Sequence, residues 1–119
     1  MSLTITLADE RAPSWNKMYA GIHWSKRVEM IQAVWWKLYA ALPHSAQMFA
    51  VPVDVSIVAT YKGRTVDSDN IFSKGYIDAM KGKLIRDDDP RYVRRVTTES
   101  RHGKANSVVI ELTPVESAA

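Results

Sequence analysis

Between Val51 and Thr60 the chain alternates residue by residue. Val51, Val53, Val55, Ile57 and Ala59 interleave with Pro52, Asp54, Ser56, Val58 and Thr60. A side-chain period of two sends one set to one face of a β-strand, so this stretch predicts a strand with one face buried. Something must cover that face. The preceding segment suits the task, because Val28, Ile31, Val34, Trp35, Leu38 and Leu42 recur at helical spacing, with Ser25 as the N-cap and Pro43 as the stop. Lys26, Arg27 and Lys37 fall largely off that stripe.

The remaining elements follow from similar patterns. Leu3 to Ala8 reads as a short strand, followed by a Pro13-Ser14 turn and an irregular, aromatic-rich stretch to Trp24. Lys62-Gly63-Arg64 turns the chain after the alternating strand. A second helix, capped by Asp69 or Asn70, then places Ile71, Phe72, Gly75, Tyr76, Ala79 and Met80 toward the core. Asn70, Lys74, Asp78 and Lys81 form its polar strip. Tyr92 to Glu99 and Ser107 to Leu112 read as two strands, most easily paired antiparallel across a polar loop containing Arg101-His102-Gly103-Lys104. The tail from Pro114 is expected to fray. The order β-α-β-α-β-β gives an α/β or α+β fold, one mixed sheet with two main helices packed on it.

A chain of 119 residues suits a single domain, residues 1–119. It contains no apolar run near the roughly 20 residues of a membrane span and no basic-then-apolar start, so no membrane partner and a cytoplasmic location are expected. The absence of cysteine excludes disulfides and thiolate metal sites. His23, His44 and His102 show no short ligand spacing, which leaves oxygen ligands for any metal.

The net charge is +3 and the pI about 9.3, yet acidic residues gather on either side of the second helix. Asp67-Ser68-Asp69-Asn70 precede it and Asp87-Asp88-Asp89 follow it, with Lys74 and Asp78 between. Carboxylates about 4 Å apart repel by roughly 4 kcal/mol at an effective dielectric near 20, so a cation is expected among them. Asp67 and Asp69, as alternate residues of an extended segment, point to one side. Read alone, the first group is a capping turn, the second a solvated loop, and Lys74 a surface lysine paired with Asp78. An EF-hand is excluded, since Ile71 and Phe72 stand where an oxygen ligand and a glycine are required.

Two further groups bear on a polyanionic partner. Trp15, Tyr19 and Trp24 are mixed with Asn16, Lys17 and His23, a combination that can stack on bases and hold phosphates, or pin a loop to the core. Arg91, Arg94, Arg95, Arg101 and Lys104 put five cations in fourteen residues opposed only by Glu99, which reads as a phosphate-tracking ribbon or as a solvated strand face. Trp35 and Trp36 read as core and edge packing of the first helix.

Asp67-x-Asp69-Asn70, then Lys74, then Asp78 four residues later, then the acidic run around Asp88, resemble in order and spacing the RusA-type Holliday-junction resolvases. Pro13-Ser14-x-Asn16 and His23-Trp24 with Arg27 look like that family's opening loop. The resemblance spans roughly Ser14 to Val96. Lys74 stands four residues after Asn70 rather than three, and Pro90-Arg91 lengthens the link to Val93. Membership would imply a RusA-like endonuclease domain that works as a homodimer, binds four-way DNA junctions and nicks two strands symmetrically with Mg²⁺, or Mn²⁺ in its place. It would make Asp67, Asp69 and Asp88 catalytic metal ligands, with Asp87 and Asp89 as alternates, and place Lys74 at the scissile phosphate. Asn16, Lys17, His23, Lys26, Arg27, Arg64, Arg91, Arg94, Arg95, Arg101 and Lys104 would contact DNA.

Three function classes remain on the sequence. A metal-dependent endodeoxyribonuclease predicts both DNA affinity and metal-dependent cleavage. A non-catalytic nucleic-acid-binding module predicts affinity alone. A Mg²⁺-dependent phosphohydrolase of small compounds predicts turnover without DNA affinity.

Overall fold

The computed structural model describes residues 2–20 and 23–115. In chain order these form β1 (Leu3–Ala8), α1 (Trp15–Ala20), α2 (Trp24–Ala41), β2 (Val53–Tyr61), a 3-10 turn (Ser68–Asn70), α3 (Ser73–Met80), β3 (Val93–His102) and β4 (Ser107–Pro114). The fold is a mixed α+β one: a single four-stranded sheet in the order β1-β4-β2-β3, with α2 and α3 as its main helices. None of the described helices is long and apolar enough to cross a membrane.

The alternating strand takes the interior of the sheet, as its burial requires. Val53, Val55, Ile57, Ala59 and Tyr61 are buried, while Asp54, Ser56, Val58 and Thr60 on the other face are partly exposed. Ile5 and Leu7 of β1 and Val108, Ile110 and Leu112 of β4 join the same core, against Val34 and Leu38 of α2 and Tyr76, Ile77, Ala79 and Met80 of α3. Leu38 is fully buried in this layer. Truncating it to alanine would cost about 2–5 kcal/mol by transfer and cavity terms together.

The last two strands do not form the expected hairpin. β4 pairs antiparallel with both β1 and β2, and β3 pairs parallel with β2 on its far side. Burial explains the choice: β4 hides three apolar residues and belongs inside, whereas β3 is almost wholly exposed and suits an edge. The connection 103–106 need only cross two strand spacings, about 10 Å, which four residues span easily. It passes tightly over the end of β2. Gly103 N donates to Tyr61 O at 3.0 Å, and a Cβ on Gly103 would lie 2.5 Å from Thr60 Cγ2. Lys62 N donates to Asn106 Oδ1 at 2.9 Å, closing the crossing.

Several local expectations need correction. The stretch after Pro13 is not irregular: α1 starts there because Ser14 Oγ accepts from Lys17 N at 3.0 Å. Residues 21–22 of the same stretch lie outside the described residues. His23, not Ser25, is the N-cap of α2, its Nδ1 accepting from Ser25 N. Val28 and Trp36 face solvent, and Trp36, 68% exposed, meets Trp35 edge-on at 4.7 Å. Val51 precedes β2 and is exposed. Arg101 and His102 belong to β3, opposite Thr60 and Tyr61, not to a loop. Pro114 closes β4 and Val115 N donates to Pro52 O at 2.8 Å, so these two residues are held; 116–119 lie outside the described residues. The core face of α3 stands as expected from Ile71 to Met80, with Ile77 added to it.

Candidate functional site

The N-terminal segment is fastened beside the first acidic group by backbone bonds. Tyr61 Oη donates to Ala12 O and Phe72 N to Pro13 O, both at 2.8 Å, and Ser14 bridges Ile71. On the other side, Thr98 Oγ1 donates to Ser68 O at 2.6 Å and Ser68 Oγ accepts from Ser100 N at 2.9 Å, holding the 3-10 turn against β3. The gap left between segments 11–17 and 64–70 is a groove of about 600 Å³. Arg11, Lys17 and Arg64 supply its positive charge, Ser14, Asn16 and Asn70 its neutral hydrogen-bonding groups, and Asp67 its one carboxylate. Gly63, with φ of +86°, lets the chain turn from β2 into this wall.

Asp67 holds the N-cap position of the 3-10 turn, but neither Asp67 nor Asp69 caps through its side chain. Asp67 precedes the 3-10 turn without a side-chain cap bond, and α3 is capped by neither Asp69 nor Asn70, since its N-cap position is Phe72. Among the described residues neither aspartate has an ion pair or side-chain hydrogen bond. The helical-cap explanation for the first acidic group is therefore removed.

The second group is organised by a lysine. Lys81 Nζ lies 3.2 Å from Asp88, 3.4 Å from Asp78 and 3.8 Å from Asp87, at the C-terminal end of α3. The cation demanded by the acidic sequence is thus partly supplied by the chain itself. Hydrogen bonding from Lys81 holds the Asp88 carboxyl below its usual range, and Asp88 in turn raises Lys81. Asp78 Oδ1 is buried and receives no well-directed hydrogen bond; Lys81 attracts it only as a nearby charge. Lys74 pairs with the other Asp78 oxygen at 3.4 Å across one helical turn. Asp89 is turned away, accepting from Arg91 through both oxygens, and Asp87 accepts from Asp88 N.

These placements separate the carboxylates that the family resemblance assigns to one ion. Asp67 and Asp69 stand before α3, without ion pairs among the described residues, and Asp88 beyond it, 3.2 Å from Lys81 Nζ. Among the described residues no three carboxylates or imidazoles are grouped to hold a metal ion. The residues as arranged do not fit a three-carboxylate centre, so no chemical step runs through one.

The basic ribbon also changes character. Asp54, across from β3 on β2, receives two bonds from Arg94 at 2.9 and 2.5 Å; Asp89 neutralises Arg91, and Glu99 pairs with Arg101. Three of its five cations are therefore countered, not opposed by Glu99 alone. The sequence hides this because Asp54 lies forty residues away and meets Arg94 only through parallel pairing. Arg95 and Lys104 show no ion pair among the described residues. At the start of α2, Arg27 donates to Met18 O and lies 4.6 Å over the Tyr19 ring, Lys26 pairs with Glu29, and His23 Nδ1 is engaged in the cap.

Arg11 and Glu10 fall outside every sequence motif, and Lys81 enters the sequence reading only through the polar strip of the second helix. Glu10 is only 7% exposed, accepting from Lys37 Nζ at 2.8 Å and from Tyr76 Oη at 2.9 Å. Burial and the carboxyl beside it push the Tyr76 hydroxyl far up. The spacing of Lys81 three residues after Asp78 is a usable signal; nothing local marks Arg11 or Glu10. No protein-family model matches this chain, and no curated protein matches it.

Proposed function

We propose that this chain is a DNA-processing domain of the RusA-resolvase kind, which holds the sugar-phosphate backbone of branched DNA in the groove between residues 11–17 and 64–70. The observation that carries this reading is the groove itself, where Arg11 and Lys17 line one wall and Arg64 and Asp67 the other. The cations neutralise phosphates, and Ser14, Asn16 and Asn70 offer hydrogen bonds to phosphate and sugar oxygens. A carboxylate at such a wall opposes phosphate binding unless a cation accompanies the substrate. Asp67 and Asp69, which have no partner among the described residues, are the carboxylates available to Mg²⁺ or Mn²⁺, whose chemistry would be activation of the attacking water. A homodimer would supply two such sites to a junction, and Trp24 and Trp36, both mostly exposed, offer aromatic surface for it.

A second reading, a nucleic-acid-binding module without catalysis, is favoured by one observation: Lys81 already lies within ion-pair distance of Asp78, Asp87 and Asp88. Labelled four-way junction, duplex and single strand incubated with and without Mg²⁺ separate the two. Mg²⁺-dependent cutting of the junction, lost in Asp67→Asn, is the expected result. Binding with no cleavage of any substrate would replace the nuclease by the binding module.

A further inference from the structure

The groove has a neighbour. Behind Pro13 lies a half-open cavity of about 160 Å³, and Arg11, Pro13 and Met30 are walls of both spaces. Met18, Ile31, Val34 and Phe72 make the cavity apolar, while Glu10 and Tyr76 give it one polar corner. A dry cavity of about 150 Å³ is known to take a benzene ring, so this space holds one six-membered ring, and a fused pair would project through its open side. The polar corner is an acceptor. Glu10 spends one lone pair on Lys37 and one on Tyr76, and a carboxylate has about four acceptor positions, so it retains capacity for an incoming N–H.

We propose that cavity and groove together form a subsite for one unpaired pyrimidine nucleotide, with the base in the cavity and its phosphate among Arg11, Lys17 and Arg64. Glu10 accepts from an N–H of the base edge, and Phe72 and the two methionines contact the ring. An apolar ligand alone would leave the cationic groove unused, and a phosphate alone would leave the cavity empty; a nucleotide satisfies both. A base that is already unpaired costs least to unstack, which favours single-stranded or mismatched positions for insertion. This inference rests on the nucleic-acid reading of the groove, and it names the substrate feature that the site would select.

The test is a titration of metal-free protein with dCMP, dTMP, dAMP, dGMP and inorganic phosphate, followed by NMR. Met18 belongs to the cavity alone and Lys17 to the groove alone, so their signals report the two halves separately. The pyrimidine nucleotides should move both signals and bind about tenfold more tightly than the purine nucleotides, a difference well within reach of one ring-sized exclusion. Inorganic phosphate should move Lys17 only. Ala33→Phe, on the exposed rim of the cavity, should abolish the Met18 response, and Glu10→Gln should weaken pyrimidine binding without restoring purines. A Met18 signal indifferent to every nucleotide, or equal binding of purines and pyrimidines, would overturn the subsite. Junction cleavage is read separately. Pyrimidine insertion without cleavage would retain the subsite and remove the nuclease, and cleavage with a silent cavity would do the reverse.

Discussion

Replacing Lys17 or Arg64 by alanine should flatten the salt dependence of DNA binding, whereas removing the ion-paired Arg94 together with Asp54 should not. Lys17 and Arg64 face the groove without a carboxylate partner among the described residues, so each displaces condensed counterions from the DNA when it neutralises a phosphate. Each duplex phosphate neutralised contributes about 0.9 to the slope of log affinity against log salt, so the three groove cations contribute about 2.7. Raising salt from about 50 to about 200 mM then weakens binding about 40-fold, or about 3.5-fold per contact; a single-alanine variant should show a loss of about 12-fold. Arg94 is held by Asp54 through two bonds, so Asp54→Asn with Arg94→Gln removes no net charge and should leave the slope unchanged. Fluorescence anisotropy of a labelled four-way junction, without divalent cations, measures all three. The reasoning fails if the paired substitution lowers the slope as much as Lys17→Ala, or if Lys17→Ala leaves it intact.

Asp67→Asn should abolish cleavage and bind DNA at least as tightly as the unmodified chain, because it removes a negative charge from the groove wall; weaker binding in a gel-shift titration would contradict this. Tyr76→Phe deletes a buried bond to the Glu10 carboxyl and should lower the urea unfolding free energy by about 1.5–3 kcal/mol, with a loss under about 0.5 kcal/mol counting against that bond. Lys81→Met should destabilise the fold by about 1 kcal/mol near neutral pH, since its pairs are partly exposed and screened. Because Lys81 holds Asp88 below its ordinary range, this contribution is present above that range and is lost as pH falls through the folded-state value; an equal deficit at about pH 7 and about pH 3 would refute the linkage. Light scattering at micromolar concentration should give twice the 13.4 kDa chain mass, and Trp36→Glu should halve it; a monomer that also binds a junction singly would exclude the paired-nick reading.

Periodicity by itself determined much of this protein. The alternation through Val53–Tyr61 and the stripe from Ile71 to Met80 each report burial on one face, and burial is a property of a segment that survives whatever lies across from it. The segment from Asp67 to Asn70 was likewise legible as a concentration of unsatisfied charge. Tertiary structure decided everything that depends on which segments meet. β4 displaced β3 from the expected hairpin because apolar content ranks strands for the sheet interior, a competition no local pattern displays. Arg94 lost its freedom to Asp54, and Asp88 to Lys81, through pairings set by strand register and the path after α3. Even the groove exists only because the Tyr61 and Phe72 bonds bring Ala12 and Pro13 beside Asp67, joining residues 49 and 59 positions apart by contacts that carry no sequence signature.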